Sequence, residues 1–201
     1  MNLTDKKYSK FALVREMMET PGIIRSFDPM VSERFIKFFR SKKGLFLTGE
    51  GSSRLFPAKR AIFANLKKEF LLPVLTEGCT QSLDYNLQDF VVFAASNSGQ
   101  TKEVIRLVNA LKKKKHNTVL ALTGNQKTKL EEFADGTHIL KCGKEDAVAA
   151  TKSVVEQGLF YDSLLRNLRK EKMTGLKKAA AQAEEVLTAV IDRKIIDIIS
   201  K

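Results

Sequence analysis

Phe90-Val91-Val92-Phe93-Ala94-Ala95-Ser96-Asn97-Ser98-Gly99-Gln100-Thr101 is the stretch whose reading decides the fold. Six apolar residues in a row leave no polar face, so a strand made of them must be covered on both sides, as in the middle of a parallel sheet. The run then breaks at once into hydroxyls, an amide and a glycine, which is turn chemistry. A helical pattern follows from 101 to 115.

The same alternation of short apolar runs with helical patterns extends outward in both directions between residues 44 and 140, the mark of parallel strands joined by crossover helices. Strands are expected at 45–48, 74–76, 90–95, 118–122 and 137–140, and helices at 53–70, 101–115, 127–134 and 148–169. Gly99 and Gly124 mark turns. The fold class is therefore α/β, a three-layer α/β/α sandwich on a five-stranded parallel sheet. Upstream, helices are expected at 8–18 and 31–40, parted by the breakers Pro21-Gly22 and Asp28-Pro29. Downstream, residues 176–200 carry an amphipathic helical pattern. The chain divides into N-terminal helices (1–43), a central domain (44–170) and a C-terminal helical extension (171–201). The flanking helices have apolar faces that must pack on the domain itself or on another subunit.

With 201 residues, 43% hydrophobic and 29% charged, the chain suits one domain large enough to bury a core without disulfides or metals. No window of about 18 uninterrupted apolar residues could span a bilayer, and the N-terminus has no secretory pattern. Cys79 and Cys142 fit a reducing cytoplasm as small buried hydrophobes. The formal charge of +12 raises nucleic acid as a partner, but the basic residues are dispersed. The one dense run, Lys112-Lys113-Lys114-Lys115, ends a helix, where cations offset the dipole. Nucleic acid is not the expected partner; steering of small anions suits the charge better.

Ligands of open parallel sheets bind beyond the carboxyl ends of the strands, so the turns after the strands at 45–48 and 90–95 are where chemistry is sought. The first is Gly49-Glu50-Gly51-Ser52-Ser53, with glycines for close backbone approach and serines for an anion. The second is Ser96-Asn97-Ser98-Gly99-Gln100-Thr101, running into a helix whose free amides and dipole favour negative charge. Neither the dinucleotide glycine pattern nor the Lys-bearing P-loop is present, which leaves a phosphomonoester site of hydroxyls and amides. Either turn alone reads equally well as cap and bend chemistry; two at strand ends point to a site.

The two turns resemble those of the sugar-isomerase (SIS) domain family, which has a Gly-x-Gly-Ser-Ser-like first turn and a Ser-x-Ser-Gly-x-Thr phosphate loop. Glu145-Asp146-Ala147-Val148-Ala149-Ala150-Thr151-Lys152 resembles the Glu-x-x-Val-Ala-Ser-Thr-Lys segment in the isomerase half of glucosamine-6-phosphate synthases, with Ala150 in place of a serine. Val14-Arg15-Glu16-Met17-Met18-Glu19-Thr20-Pro21 is similar to the Lys-Glu-Ile-x-Glu-Gln-Pro opening of the same group, which includes tagatose-phosphate isomerase-like and sugar-amine deaminase-like proteins. The resemblance covers residues 10–170. It implies a flavodoxin-like sheet, a sugar-phosphate ligand held at its phosphate by Ser53, Ser96, Asn97, Ser98 and Thr101, and a sugar lined by Glu50, Gly51, Ser52, Val148 and Lys152. No metal and no cofactor is implied. Asn97 stands where the synthases often carry Gln.

Aldose–ketose interconversion needs a base between adjacent carbons and an acid to open the ring. In two-domain relatives the resemblance puts the catalytic Glu on the helix after the first strand of the second domain copy. Here that helix bears Lys59, Arg60, Lys67 and Lys68, and its single carboxylate is Glu69 at the far end. Glu145 is the local candidate for a catalytic base, and it reads equally well as a helix N-terminal charge. Lys152 meets a sugar oxygen or is a solvated helix lysine. His116 is expected at the surface and His138 in the core, and neither has metal-ligand spacing with the cysteines. Two functions stay open. One is a sugar-phosphate isomerase or deaminase, or the phosphate-binding half of one, completed by a homodimer partner or a second SIS domain. The other is a non-catalytic sugar-phosphate sensor.

Overall fold

Five parallel strands lie in the order β2-β1-β3-β4-β5, with β1 at Gly44–Gly49, β2 at Val74–Gly78, β3 at Phe90–Ala95, β4 at Val119–Thr123 and β5 at Gly136–Ile139. The computed structural model describes residues 2–192 together with Lys194 and Ile198. β3 is central, and its side chains divide with the period of two that any strand imposes. Val91, Phe93 and Ala95 join Leu45, Leu47, Leu120 and Leu122 in one core layer, under Phe160 and Leu164. Val92 and Ala94 join Phe46, Val119 and Ala121 in the other, under Val104, Leu107, Val108 and Leu111. The unbroken apolar run is thus the sum of two alternating faces, each with its own cover.

The covers are α2 (Ser52–Lys67) and α6 (Lys152–Leu168) on the first face, and α3 (Cys79–Ser82), α4 (Lys102–Lys113) and α5 (Lys129–Phe133) on the second. The four buried positions of α4 recur at helical spacing, which makes it strongly amphipathic. β1 leads through α2 to one edge of the sheet, while β3 leads through α4 to the other. The crossovers therefore diverge between β1 and β3, opening a crevice at their carboxyl ends.

Outside the sheet the sequence reading needs correction. α1 runs through Pro21 and Gly22 over Ala12–Ser26, with Pro21 and Ile24 buried. Packing against α6 and α7 (Leu176–Thr188) outweighs the backbone bond that proline removes. The helix expected at 31–40 is a 3-10 stretch, Glu33–Phe39, around buried Phe35. The helix expected from 148 begins at Lys152, leaving 140–151 irregular. Of the pattern at 176–200, the helix stops at Thr188 and extended Ala189 follows; most of 193–201 lies outside the described residues. His116 is buried, not exposed: its Nε2 meets the Leu87 carbonyl at 2.8 Å and its Nδ1 accepts the Thr118 amide. No helix of the described residues is long and apolar enough to cross a membrane.

His138 on β5 is 6% exposed, stacks on Phe160 with centroids 4.7 Å apart, and leaves its Nε2 without a hydrogen-bond partner. Burial, with lesser help from Arg34 and Lys141, pushes its pKa down from 6.5 to about 4. The folded state thus resists protonation that the unfolded chain accepts. Stability is complete above the unfolded value and falls as pH drops through 6.5 toward 4, by about 3 kcal/mol in all. We expect His138→Phe to remove that share of the acid sensitivity, seen as a smaller loss of Tm between pH 7 and pH 4 than in the wild type.

Candidate functional site

Gly49 ends β1 directly opposite Ala95 at the end of β3, and a Cβ on Gly49 would lie 2.8 Å from the Ala95 carbonyl oxygen. Both serine-rich turns therefore spring from one pair of touching residues. In the first turn Gly51 adopts φ 55° and ψ −134°, and α2 starts at Ser52 with no side-chain cap. Pro57, six residues into α2, cannot donate to the Ser53 carbonyl. That carbonyl instead accepts Gln157 Nε2 of α6 at 2.6 Å, and Gln157 also donates to the Tyr161 hydroxyl at 3.1 Å. The proline that costs α2 a bond thus fastens the serine turn to α6. Glu50 accepts the Cys79 amide at 3.0 Å, tying the same turn to α3.

The second turn gathers hydroxyls. Ser96 Oγ is 2.7 Å from Thr101 Oγ1 and 3.4 Å from Ser98 Oγ, and Ser98 Oγ accepts the Gln100 amide at 3.2 Å. Gly99 sits at φ 64°, and a Cβ there would fall 2.4 Å from Thr128 at the N-cap of α5. Only glycine meets both conditions. Thr101 is the N-cap of α4 but makes no side-chain cap, its hydroxyl being engaged with Ser96. Three hydroxyls thus stand at a helix N-terminus whose amides and dipole favour an anion.

Asn97 points away from that cluster. Its carbonyl accepts the Gly124 amide, Asn125 Nδ2 and the Thr123 hydroxyl, at 3.0, 2.8 and 3.1 Å. Its Nδ2 donates to Glu145 Oε2 at 3.0 Å, joining the turn to the irregular segment 140–151. Glu145 also accepts the Thr151 amide at 2.8 Å, the Thr151 hydroxyl at 3.1 Å, the Ser153 amide at 3.1 Å and the Ser153 hydroxyl. Burial raises its pKa, but the donors from Ser153 and Thr151 outweigh burial and hold the carboxyl below the usual range.

Of the remaining residues expected at the sugar, Val148 is fully exposed and Lys152 is buried with its Nζ 2.6 Å from Glu19 Oε2. Burial lowers the lysine's pKa, but Glu19, then Glu16, outweigh it and keep it above the ordinary value. The structure thus gathers Ser96, Ser98 and Thr101 in one cluster, links Asn97 to Glu145, and brings Gly51, Ser52 and Ser53 to the neighbouring strand end. It leaves Glu50 on Cys79, Lys152 on Glu19 and Val148 in the open. Sequence reasoning did not assign roles to Glu16, Glu19, Gly124 or Gln157. The signal for the two glutamates was their place in the quoted 14–21 stretch. Among the described residues no group of three or more His, Cys, Asp or Glu is disposed to hold a metal ion. A basic groove of about 940 Å³, lined by Lys102, Arg106, Lys113 and Lys129, runs along the outer side of α4 and not across the turns.

A parallel sheet with two hydroxyl turns at its switch point is the class of domain that grips small anions at strand ends, and the comparisons name the family. Residues 38–166 match the SIS domain model, and the chain belongs to the SIS domain family. It is similar to the glutamine–fructose-6-phosphate aminotransferase (isomerizing) of Sulfolobus acidocaldarius, at 22% identity over 187 residues, covering 89% of this chain and 31% of that protein. In fold it is similar to the C-terminal domain of glucosamine-fructose-6-phosphate aminotransferase from Francisella tularensis, with TM-score 0.67, 18% identity, and coverage of 92% of this chain and 55% of that one. It is also similar to an Escherichia coli protein solved in complex with a sugar phosphate, with TM-score 0.64, 20% identity, and coverage of 90% and 100%. The chain therefore spans about a third of the curated relative and about half of the Francisella domain.

Gly124 is the tightest contact in the site: a Cβ would lie 1.9 Å from Asn97 Oδ1 and 2.7 Å from the Gly143 carbonyl oxygen. Overpacking of this kind costs about 1–3 kcal/mol. We expect Gly124→Ala to lower Tm accordingly in a thermal melt, whereas Gly22→Ala, with nothing within 4 Å, leaves it within about 1 °C.

Proposed function

We propose that this chain binds a sugar phosphate at the carboxyl ends of β1 and β3, with the phosphate on Ser96, Ser98, Thr101 and the first amides of α4. The convergence of the three hydroxyls at that helix start carries the reading. Ser53 and the Gly51–Ser52 turn, one strand away, supply the remaining polar edge of the cradle. The sugar phosphate bound by the Escherichia coli relative supports a ligand of this class. The two cysteines, both free thiols, fit a cytoplasmic setting.

The same geometry divides binding from catalysis. A general base must be free to take a proton and have a pKa near the working pH. Glu145 has five donors on its two oxygens and a lowered pKa, so we assign it to holding the 140–151 segment to the serine turn. The start of α2 offers Ser52, Ser53 and Arg54 and no carboxylate, and Arg54 is paired with Glu77 at 3.6 Å. The chain is accordingly the phosphate-gripping half of a sugar-phosphate isomerase or deaminase, whose base comes from a second SIS domain. Leu55, Phe56, Phe63 and Leu66 form an exposed apolar stripe along α2, beside the first turn, and this is the face on which we place that second domain, supplied by another copy of the chain.

Thermal-shift titration tests the site. Glucosamine 6-phosphate and fructose 6-phosphate should raise Tm, because a ligand bound only by the folded state stabilises it. Ser98→Ala and Thr101→Ala should each weaken binding about 10–100-fold, as expected for a lost hydrogen bond to a charged group. A Tm rise that persists unchanged in both variants would sink the assignment. For the second domain, sedimentation of the wild type should report a dimer and Phe63→Glu a monomer that keeps its Tm. A monomeric wild type excludes the second copy as the partner.

A further inference from the structure

The segment 140–151 crosses from β5 to α6 beside the serine turn without regular secondary structure, and three carboxylates take up its backbone amides. Glu156 of α6 accepts Lys141 N at 2.8 Å and Cys142 N at 2.7 Å. Glu145 accepts the amides at the far end, at 151 and 153. Between them, Glu16 of α1 accepts Asp146 N at 2.5 Å and Ala147 N at 3.2 Å. Three residues further along the same helix, Glu19 holds Lys152 Nζ. Residues at this spacing share one helix face, so α1 grips the segment at two points, near its middle and at its exit into α6.

Glu16 is the least replaceable of these groups. It is 5% exposed, and its second oxygen has no hydrogen-bond partner. A carboxylate buried so far costs several kcal/mol unless its partners repay it, and a residue serving only to fill space there would be apolar. What it holds explains its chemistry. Asp146 and Ala147 lie between Glu145, whose carboxylate grips Asn97 of the serine turn, and Val148, which projects fully exposed. Two amides in an irregular segment have no ladder to join, so their position follows the acceptor that takes them.

We propose that Glu16 is a positioning residue for the sugar part of the ligand: through the amides of Asp146 and Ala147 it sets where residues 145–148 stand beside the phosphate cradle. The inference rests on the sugar-phosphate reading above. The cradle itself does not depend on Glu16, since Ser96, Ser98 and Thr101 are held by one another, by Gly99 and by the start of α4. Loss of Glu16 should therefore separate the recognition of sugar from the recognition of phosphate.

Calorimetric titration of the full chain with inorganic phosphate and with glucosamine 6-phosphate tests this, alongside amide hydrogen exchange at 146 and 147. The wild type should bind the sugar phosphate more tightly than phosphate alone. Glu16→Ala should weaken the sugar phosphate by about tenfold or more, leave inorganic phosphate within about twofold, and speed exchange at both amides. Glu16→Gln, which keeps an acceptor oxygen, should restore most of the loss. Glu16→Asp withdraws the acceptor by one methylene while keeping the charge; it should show the same selective loss and serves if the alanine variant does not fold. Equal weakening of both ligands, or of neither, overturns the positioning role. A wild type that binds phosphate and sugar phosphate alike, or binds neither, overturns the sugar-phosphate reading and this inference with it.

Discussion

The parallel pairing of β1 with β3, closed at its end by Gly49 against the Ala95 carbonyl, is the constraint on which the rest of the molecule depends. It puts two turns that are far apart in the chain at one point. It also makes that point the place where crossovers leave in opposite directions, so nothing of the sheet itself covers it. Two helices start there, each without a side-chain cap, and their first amides face the same crevice. An anion-binding end follows from backbone geometry before any side chain is considered.

Around this end, polar bonds do what apolar packing cannot. The core layers hold the sheet and its helices, but the segment 140–151 has no stripe to bury. It is shaped by carboxylates from α1 and α6 and by its own Glu145. Pro57 and Gln157 are a parallel case. A carbonyl freed by proline becomes the socket for a glutamine on α6, and α2 is fixed at its serine end without a cap. Each such bond is worth about 1 kcal/mol net, but losing one strands a buried polar group at greater cost, which makes the arrangement specific.

The sheet was legible in the sequence because its signals are local. Phe90 to Ala95 are apolar at every position, and turn residues punctuate every strand end. The hydroxyls of Ser96, Ser98 and Thr101 were legible for the same reason, since all three belong to one turn. The flanks were not. Pro21 reads as a break, yet burial of Pro21 and Ile24 between α6 and α7 carries the helix through it. His116 follows four lysines and reads as surface, yet its imidazole bridges the Leu87 carbonyl and the Thr118 amide inside the fold.

By itself the sequence determined the parallel α/β sheet, the two serine-rich turns and the family to which they belong, because periodicity and turn chemistry act over a few residues. Only the tertiary structure decided what Glu145, Lys152 and Glu16 do. Glu16 and Lys152 find their partners 130 and 133 residues away along the chain, and those of Glu145 include Asn97 across the strand ends. A carboxylate's character as base, cap or clamp is set by which donors surround it, and no local pattern records that.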